Sequence, residues 1–582
     1  MKLLMIFCFF TLVMTAPAWA AKVFRYSEAG SPTTLDPVQS ATRYSNLLVT
    51  ALYDTLYEYR YLKVPYELKP SLAAAMPEVS KDRLTYTIRL KKGVRFIDDA
   101  CFKGGKGREV VAEDFVYSIK RHFDPATRSQ GAWLWRDRIV GLDDWKKNGA
   151  DYNKPVAGLK VLDPHTVQIR LVRPYPQIIY TLAMGFSSVV PREAVEKYGR
   201  EFSVHPVGSG PFRLAAGFRP QRAVLERNPG YRKEVFDLRA EGYVEKLHGF
   251  TGIGALDGKS LPIVDRVEVD FIKQSTARWN SFTKGNEIQF AGIPVEQVPR
   301  TLASKDPVRL KPELAKKYHI RPEPDFGLVY SGFNMAHEDF GYSKDPARNE
   351  RNRGLRCAIR KAFNWPQRIR RFYNGLGRAF PGIVPEGVDG YGGLSRESVT
   401  LDVKGAKALL KKHGWNKRNL PVLEYPGVSS VLNKQFFEQF RGFLKKIGYP
   451  RNKVRYKTFA TFGDYNRALK ESRLNFFSLG WGMDYPDSEN LMQLYYSPNA
   501  SPGSNNSNYR NPEFDRLFEQ AAVMLPGQER TDIYKKMNQI LVDDCVTIAG
   551  FSRTNLLVWH KNAVIYPTHD VLGNFFKYAD VM

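Results

Sequence analysis

The stretch Val264-Asp265-Arg266-Val267-Glu268-Val269-Asp270-Phe271-Ile272 decides the class of this chain. Val264, Val267, Val269 and Phe271 give a largely alternating apolar pattern. A period of two places apolar side chains on one face of a half-buried strand. Working outward, Val23 to Ser27, Leu84 to Leu90 and Thr166 to Leu171 read as further strands. Helical periodicity marks Ala112 to His122, Gly354 to Phe363 and Val403 to His413. In the last of these, Ala406, Leu409 and Leu410 form an apolar stripe and Gly414 closes it. Helices and strands alternate along the whole chain, so the expected class is α/β, or mixed α+β, with mixed sheets.

Punctuation divides these elements. Pro/Gly clusters stand at Gly208-Ser209-Gly210-Pro211, at Pro381 to Gly393 and at Ser497 to Pro512. The last is rich in Ser and Asn and reads as an exposed loop. Pro322-Glu323-Pro324 reads as a crossing between domains. Pro174 to Pro191 carries no charge, but its Pro, Gln and hydroxyl residues make it a buried strand–turn–helix stretch rather than a membrane span.

The 582 residues are enough for about three domains. With 43% hydrophobic and 25% charged residues the composition is that of a soluble globular protein, which sets disorder aside. Four Cys exclude a disulfide scaffold. Lys and Arg outnumber Asp and Glu by 87 to 60, a net +27 that raises nucleic acid or an anionic membrane as partner.

The first twenty residues argue against nucleic acid. Met1 and Lys2 form a short positive start, Leu3 to Ala16 is apolar, and Ala18-Trp19-Ala20 is a small-x-small cleavage site before Ala21. This reads as a secretory signal peptide. Cleavage leaves a mature charge of +26 and removes Cys8. Cys101, Cys357 and Cys545 remain, so at most one disulfide can form, and spacing implies none.

Signatures of catalysis and cofactor binding fail one by one. Gly252 to Ser260 resembles a phosphate-binding loop, but Gly254 is one residue too close and Pro262 follows in place of a helix; it reads as a surface loop. Phe102 to Arg108 is basic and Gly-rich, and reads as a solvated hairpin tip. The nine His include no i, i+4 pair and no Cys-x-x-Cys exists, so no metal site is expected. Val207 stands where a nucleophile elbow around Ser209 needs Gly. No nucleophile with a partner is found, which favours a binding protein over an enzyme, with no cofactor.

Several weak segments then gain weight from their order. Leu35-Asp36-Pro37 is followed by Lys69-Pro70-Ser71-Leu72-Ala73, by Asp82 to Leu90 with Lys92-Gly93-Val94-Arg95-Phe96, and by Val111 to Ser118. Gly208-Ser209-Gly210-Pro211-Phe212 precedes Arg227-Asn228-Pro229-Gly230-Tyr231. Phe333-Asn334 precedes Leu355-Arg356-Cys357-Ala358-Ile359. Last, Gly480-Trp481-Gly482-Met483-Asp484-Tyr485-Pro486-Asp487 precedes Tyr509 to Asp515. Together they resemble the periplasmic solute-binding proteins of ABC importers, in the peptide/nickel (oligopeptide/dipeptide-binding, family 5) class. The resemblance covers nearly all of the mature chain. Extra residues around Asp98 to Arg108 and Phe236 to Asp257, and the basic charge, depart from it.

The resemblance implies a two-lobed periplasmic-binding-protein fold with a hinge and an extra domain inserted in the first lobe. Lobe I would comprise 22–60, 195–325 and 555–582, the inserted domain 61–194 and lobe II 326–554, with 1–20 as the signal peptide. A peptide would bind between the lobes and close them, as contacts to both lobes favour the closed state. The protein would then deliver it, as a periplasmic monomer, to inner-membrane permease subunits with cytoplasmic ATPases. In peptide-binding members the aspartate of the Trp-x-x-Asp segment pairs with the ligand's α-amino group, which points to Asp484 with Trp481 as an aromatic wall. An ammonium in a closed cleft must be both neutralised and hydrogen-bonded, which a carboxylate does. The alternative is that Asp484 caps a turn before Pro486 and Trp481 is core. The resemblance also marks Ala41 to Arg43, where Arg43 could meet a ligand carboxylate, and Trp133 as a ring over the ligand. Another solute (a metal chelate, haem, an opine or an oligosaccharide), a secreted hydrolase, and an envelope protein that binds anionic polymer or lipid are the rival functions.

Overall fold

The computed structural model describes residues 21–582, apart from positions 216, 220, 285, 286, 549, 569–572 and 574. The expected signal peptide, 1–20, lies outside the described residues.

The alternating stretch forms the strand Arg266–Phe271, with Val267 and Val269 buried and Arg266, Glu268 and Asp270 half-exposed. It is the centre of a mixed sheet. Val23–Glu28 lies parallel to it from Val23↔Arg266 to Glu28↔Phe271, and Arg222–Arg227 lies antiparallel on its other side. Helix α1 (Arg43–Leu52) starts where the Thr42 hydroxyl accepts the Ser45 N–H, and buries Leu48, Val49 and Leu52. A second, antiparallel sheet joins Glu78–Val79, Thr85–Arg89, Thr166–Arg170 and Leu159–Asp163. Helix α2 (Ala112–Arg121) turns Phe115, Val116 and Ile119 inward beside it, and its first turn is held by the Asp114 carboxylate accepting the Val111 N–H at 2.9 Å. One hydrophobic core runs through both sheets, from Phe24 to Ile169.

Two strands carry the chain out of this body. Thr554–His560 lies between Phe290–Gly292 and Tyr318–Pro324, antiparallel to both. Pro322 and Pro324 sit on the edge strand, where a missing N–H costs no ladder bond. At the crossing Asp325 N–H donates to Arg553 O at 2.7 Å, and the Arg553 guanidinium holds the Asp325 carboxylate at 2.8 Å.

Beyond the crossing stands a four-stranded sheet in the order Arg378–Phe380, Gly550–Ser552, Gly327–Phe333, Phe476–Gly482. Beside it runs the parallel pair Leu423–Val428 and Val454–Phe459. Helices α3 (Pro346–Ala362), α4 (Val403–Lys412), α5 (Val431–Lys446) and α6 (Gln528–Asp543) enclose two further cores, one around Phe333, Phe440 and Phe476 and the other around Leu491, Tyr534 and Met537.

The strands read from the sequence stand within about two residues of their expected ends. Helix α3 begins eight residues earlier than expected. Asp345 caps it by accepting the Ala347 N–H, and Pro346 takes the first position. Its opening turns are charged and carry no apolar stripe to betray them.

Three expectations need correction. Ser497 to Pro512 is no exposed loop. Asn505, Ser507 and Tyr509 are almost wholly buried, because the Asn505 amide donates to Tyr496 O and Tyr509 O and replaces the missing backbone partners. Pro174 to Pro191 holds a single helical turn, Ile178–Thr181, and a 3₁₀ turn, Gly185–Ser187, with no strand. Gly252 to Ser260 is the expected surface loop, mostly exposed and anchored by the buried Ile253 and Leu256. Phe102 to Arg108 exposes its lysines, but Phe102 stacks on Phe96 and Arg108 is paired with Asp114 and Glu193. Cys357 and Cys545, 188 residues apart, form a disulfide that joins α3 to the end of α6; Cys101 is free.

Candidate functional site

Trp481 is the penultimate residue of its strand, opposite Leu328, and Gly482 faces Gly327. The chain then turns, tied to the neighbouring strand by the Met483 N–H on Phe326 O at 3.1 Å. Asp484 to Ser488 form the turn, and Glu489–Met492 is a helical turn.

Asn490 organises this turn. Its Oδ1 accepts the Trp481 indole N–H at 3.0 Å and the Asp484 N–H at 3.3 Å, while its amide nitrogen donates to Asp484 Oδ2 at 2.9 Å. Asn490 is buried, so indole and carboxylate are fixed relative to each other through one rigid side chain. Asp484 is half-buried. Burial raises its carboxyl above the usual range, and the Asn490 amide only partly offsets this. Among the described residues no cation pairs with it. The carboxylate of Asp484 accepts no backbone N–H; the capping role falls to Asp487, which accepts the Glu489 N–H at 2.9 Å. Trp481 is half-buried against the core.

The next residue meets the other side of the molecule. The Tyr485 hydroxyl donates to Glu489 Oε2 at 2.6 Å and lies 3.1 Å from the Tyr175 hydroxyl. The Tyr485 ring is stacked on Tyr180, with centroids 5.7 Å apart. Burial raises the Glu489 carboxyl, and the Tyr485 hydroxyl works against that.

Arg43 lies elsewhere. It opens α1, its Nη2 donates to Glu28 Oε1 at 2.7 Å, and it lines a cavity of about 420 Å³ beside the crossing strands. That cavity draws charge from both sides of the crossing: Glu28, Arg43, Arg278, Glu323, Asp325 and Arg553. Tyr26, Phe290 and Tyr373 supply rings. Ala41 is exposed in the loop before α1 and does not line it. Trp133 is 40% exposed on a 3₁₀ turn, while Trp135 is the core residue of that segment, against His122. The structure thus joins Asp484 to Trp481, places Arg43 in the cavity, and brings neither Trp133 nor Ala41 to either place. Sequence reasoning missed Asn490, which has no motif of its own, and the cavity, whose walls come from positions over 500 residues apart.

The family model of bacterial extracellular solute-binding proteins, family 5 Middle, matches residues 67–503. The chain belongs to this family. As a family 5 solute-binding protein it is 26% identical over 534 residues to the dipeptide-binding protein of Escherichia coli (strain K12), covering 90% of this chain and 88% of that one. HbpA2 from Haemophilus parasuis superposes with a TM-score of 0.76 at 20% identity, over 96% of this chain and all of the other. The periplasmic binding protein DppA from Helicobacter pylori, in complex with peptide STSA, superposes with a TM-score of 0.67 at 22% identity, over 96% and 98%. These likenesses establish the two-lobed periplasmic-binding-protein fold. No helix among the described residues is long and apolar enough to cross a membrane.

Proposed function

We propose that this binding protein captures peptides with a free amino terminus between its lobes and delivers them to an ABC importer. One observation carries the reading. Asp484 is a half-buried carboxylate with no cation beside it among the described residues, held by Asn490 against the indole of Trp481. Such a group is costly to keep ionised and is relieved by an incoming ammonium. The names of its relatives, a dipeptide-binding protein and a peptide-bound DppA, support the same ligand class.

In this reading lobe I comprises 22–60, 195–325 and 555–582, the inserted domain 61–194 and lobe II 326–554. Tyr175 and Tyr180 of the inserted domain meet Tyr485 of lobe II beside Asp484, so closure and amine capture are neighbours. Arg43, already held by Glu28, serves the first-lobe wall. Trp133 and Ala41 do not line the cavity, and we assign neither a ligand contact. The protein acts in the periplasm after removal of 1–20, as a monomer without cofactor or catalysis, and its partners are inner-membrane permease subunits with cytoplasmic ATPases.

Native mass spectrometry of protein purified from its own periplasm tests this. A retained peptide mass is expected. A metal chelate, haem or sugar in its place overturns the peptide reading.

A further inference from the structure

The positive charge is concentrated. Residues 351–473 hold 27 Lys and Arg against 8 Asp and Glu, so a fifth of the chain carries +19 of its +27. Part of this is neutralised locally: Arg353 by Glu350, Lys361 by Asp402, Arg441 by Glu438 and Lys457 by Glu424. Much of the remainder gathers at one end of the lobe.

The parallel strands Leu423–Val428 and Val454–Phe459 both start at that end, and α4 and α5 both finish there. Exposed Lys411 and Lys412 close α4, and exposed Lys445 and Lys446 close α5. The loop after α4 adds exposed Lys417 and Arg418, and the turn before the second strand adds exposed Arg451. These pieces are stitched together. Lys453 Nζ donates to Arg418 O at 2.8 Å and Leu420 O at 2.6 Å, and the Tyr449 hydroxyl donates to Pro421 O at 2.7 Å. Among the described residues none of the seven exposed cations is in an ion pair. Cations favour helix C-termini, which accounts for the four lysines of α4 and α5. It does not account for Lys417, Arg418 and Arg451.

We propose that this basic end of the second lobe docks on an anionic phospholipid surface. Five of the seven cations are lysines, hydrated point charges that add to a diffuse attraction rather than forked ligands for a single phosphate. They stand on helix ends and turns, not along a groove that could track a polymer strand. The rings at this end are already engaged: the Trp415 indole donates to Arg351 O at 2.9 Å with the Arg351 guanidinium over its face, and Tyr449 is buried. Among the described residues no aromatic platform is left at this end for stacking bases.

The placement leaves the peptide site free. Asn475 is bonded to Val422 O and to the Glu424 N–H, so the strand Phe476–Gly482 leaves from the basic end. Asp484 lies beyond its far end, roughly 20 Å or more away at the rise of a strand. Docking by the basic end therefore holds the protein at the membrane without covering Asp484.

The test is sedimentation of the mature protein with phosphatidylcholine vesicles, with and without roughly a third phosphatidylglycerol, at about 50 mM and about 300 mM salt. Binding to the anionic vesicles alone, lost at the higher salt, is expected. Each surface lysine contributes about fivefold to such partitioning, so K411E/K412E/K445E/K446E should lower it at least ~100-fold. The control K81E/K92E/K103E/K146E makes the same change in net charge on exposed residues elsewhere, and should stay within about threefold of wild type. Melting curves of both variants confirm folding. Equal losses in the two variants, or no preference for phosphatidylglycerol, would overturn the proposal. Capture of dextran sulfate without pelleting on any vesicle would reassign the face to a soluble polyanion.

Discussion

Asp484 and Asp487 stand three residues apart in one turn, and their surroundings could hardly differ more. Asp487 is charge-paired: its Oδ1 takes Arg530 Nη2 at 2.7 Å, the Glu489 N–H at 2.9 Å and the Tyr534 hydroxyl at 3.4 Å, all buried. The buried Arg530 also faces Asp389, and the Ser488 hydroxyl donates to Asp389 O. Burial and the nearby Asp487 push the Asp389 carboxyl up to about 6. Asp484 has a single neutral partner, the Asn490 amide, and a carboxyl raised by burial. A carboxylate paired with a buried guanidinium holds the fold. In the proposed reading, one left without a counter-charge keeps its interaction energy for the incoming ammonium.

Removal of Asp487 should have the largest effect, and on stability. Asp487→Ala leaves Arg530 buried without its main counter-charge, a loss of about 3–5 kcal/mol. A urea titration should show the midpoint fall with it. A variant as stable as wild type would erase the contrast between the two aspartates.

Asp484→Asn should leave the urea midpoint unchanged or somewhat higher, since it removes a buried charge, and strike binding instead. Affinity for a peptide with a free amino terminus should fall by about 2–5 kcal/mol, roughly 30-fold to several-thousand-fold. The N-acetylated peptide should lose little. Calorimetry on both proteins with both peptides closes a double-mutant cycle, and near-zero coupling would make Asp484 structural.

The pH dependence sharpens the same point. A raised carboxyl takes up its proton more readily in the folded protein than in the unfolded chain. Ionised Asp484 therefore costs stability at neutral pH, and acid relieves that cost. Binding of an ammonium requires the ionised form. Affinity should fall on acidification, beginning at a higher pH than for an ordinary carboxylate, and Asp484→Asn should flatten that limb. An unchanged limb in the variant assigns it to another group.

Asn490→Ala removes the clamp between indole and carboxylate without touching either. A loss of about tenfold in affinity, in the range of one or two hydrogen bonds, is expected together with a shift in Trp481 fluorescence. Tyr485→Phe should show the smallest effect, about 1 kcal/mol, because it removes one hydroxyl bonded to Glu489 and close to Tyr175 while keeping the stack on Tyr180. It should appear as weaker closure in ligand-induced scattering changes. A tenfold loss from Tyr485→Phe exceeding that of Asn490→Ala would invert the order.

Local physics made much of the fold legible. Alternation around Val267 and Val269 exposed a central strand, and Gly414 marked the end of α4, while its Asp402 cap came only from the structure. The Trp481/Asp484 pair came from resemblance rather than from periodicity, and the structure added the side chain that joins them. What stayed hidden depended on distance in sequence. Asn505 makes a polar segment buried by bonding backbone carbonyls that composition does not display. Cys357 meets Cys545 across 188 residues, and Glu28 shares a cavity with Arg553. No local pattern encodes either meeting.

The crossing sheet bears on how the chain reaches its final location. Its middle strand, Thr554–His560, must arrive before Phe290–Gly292 and Tyr318–Pro324 have anything to pair with, and Val23–Glu28 must wait for Arg266–Phe271. Assembly so dependent on late segments is slow, because long loops must close before their contacts form. In the proposed periplasmic role the chain is threaded unfolded through a membrane, and there slowness is protection: synthesis can run nearly to its end while the chain remains competent for export.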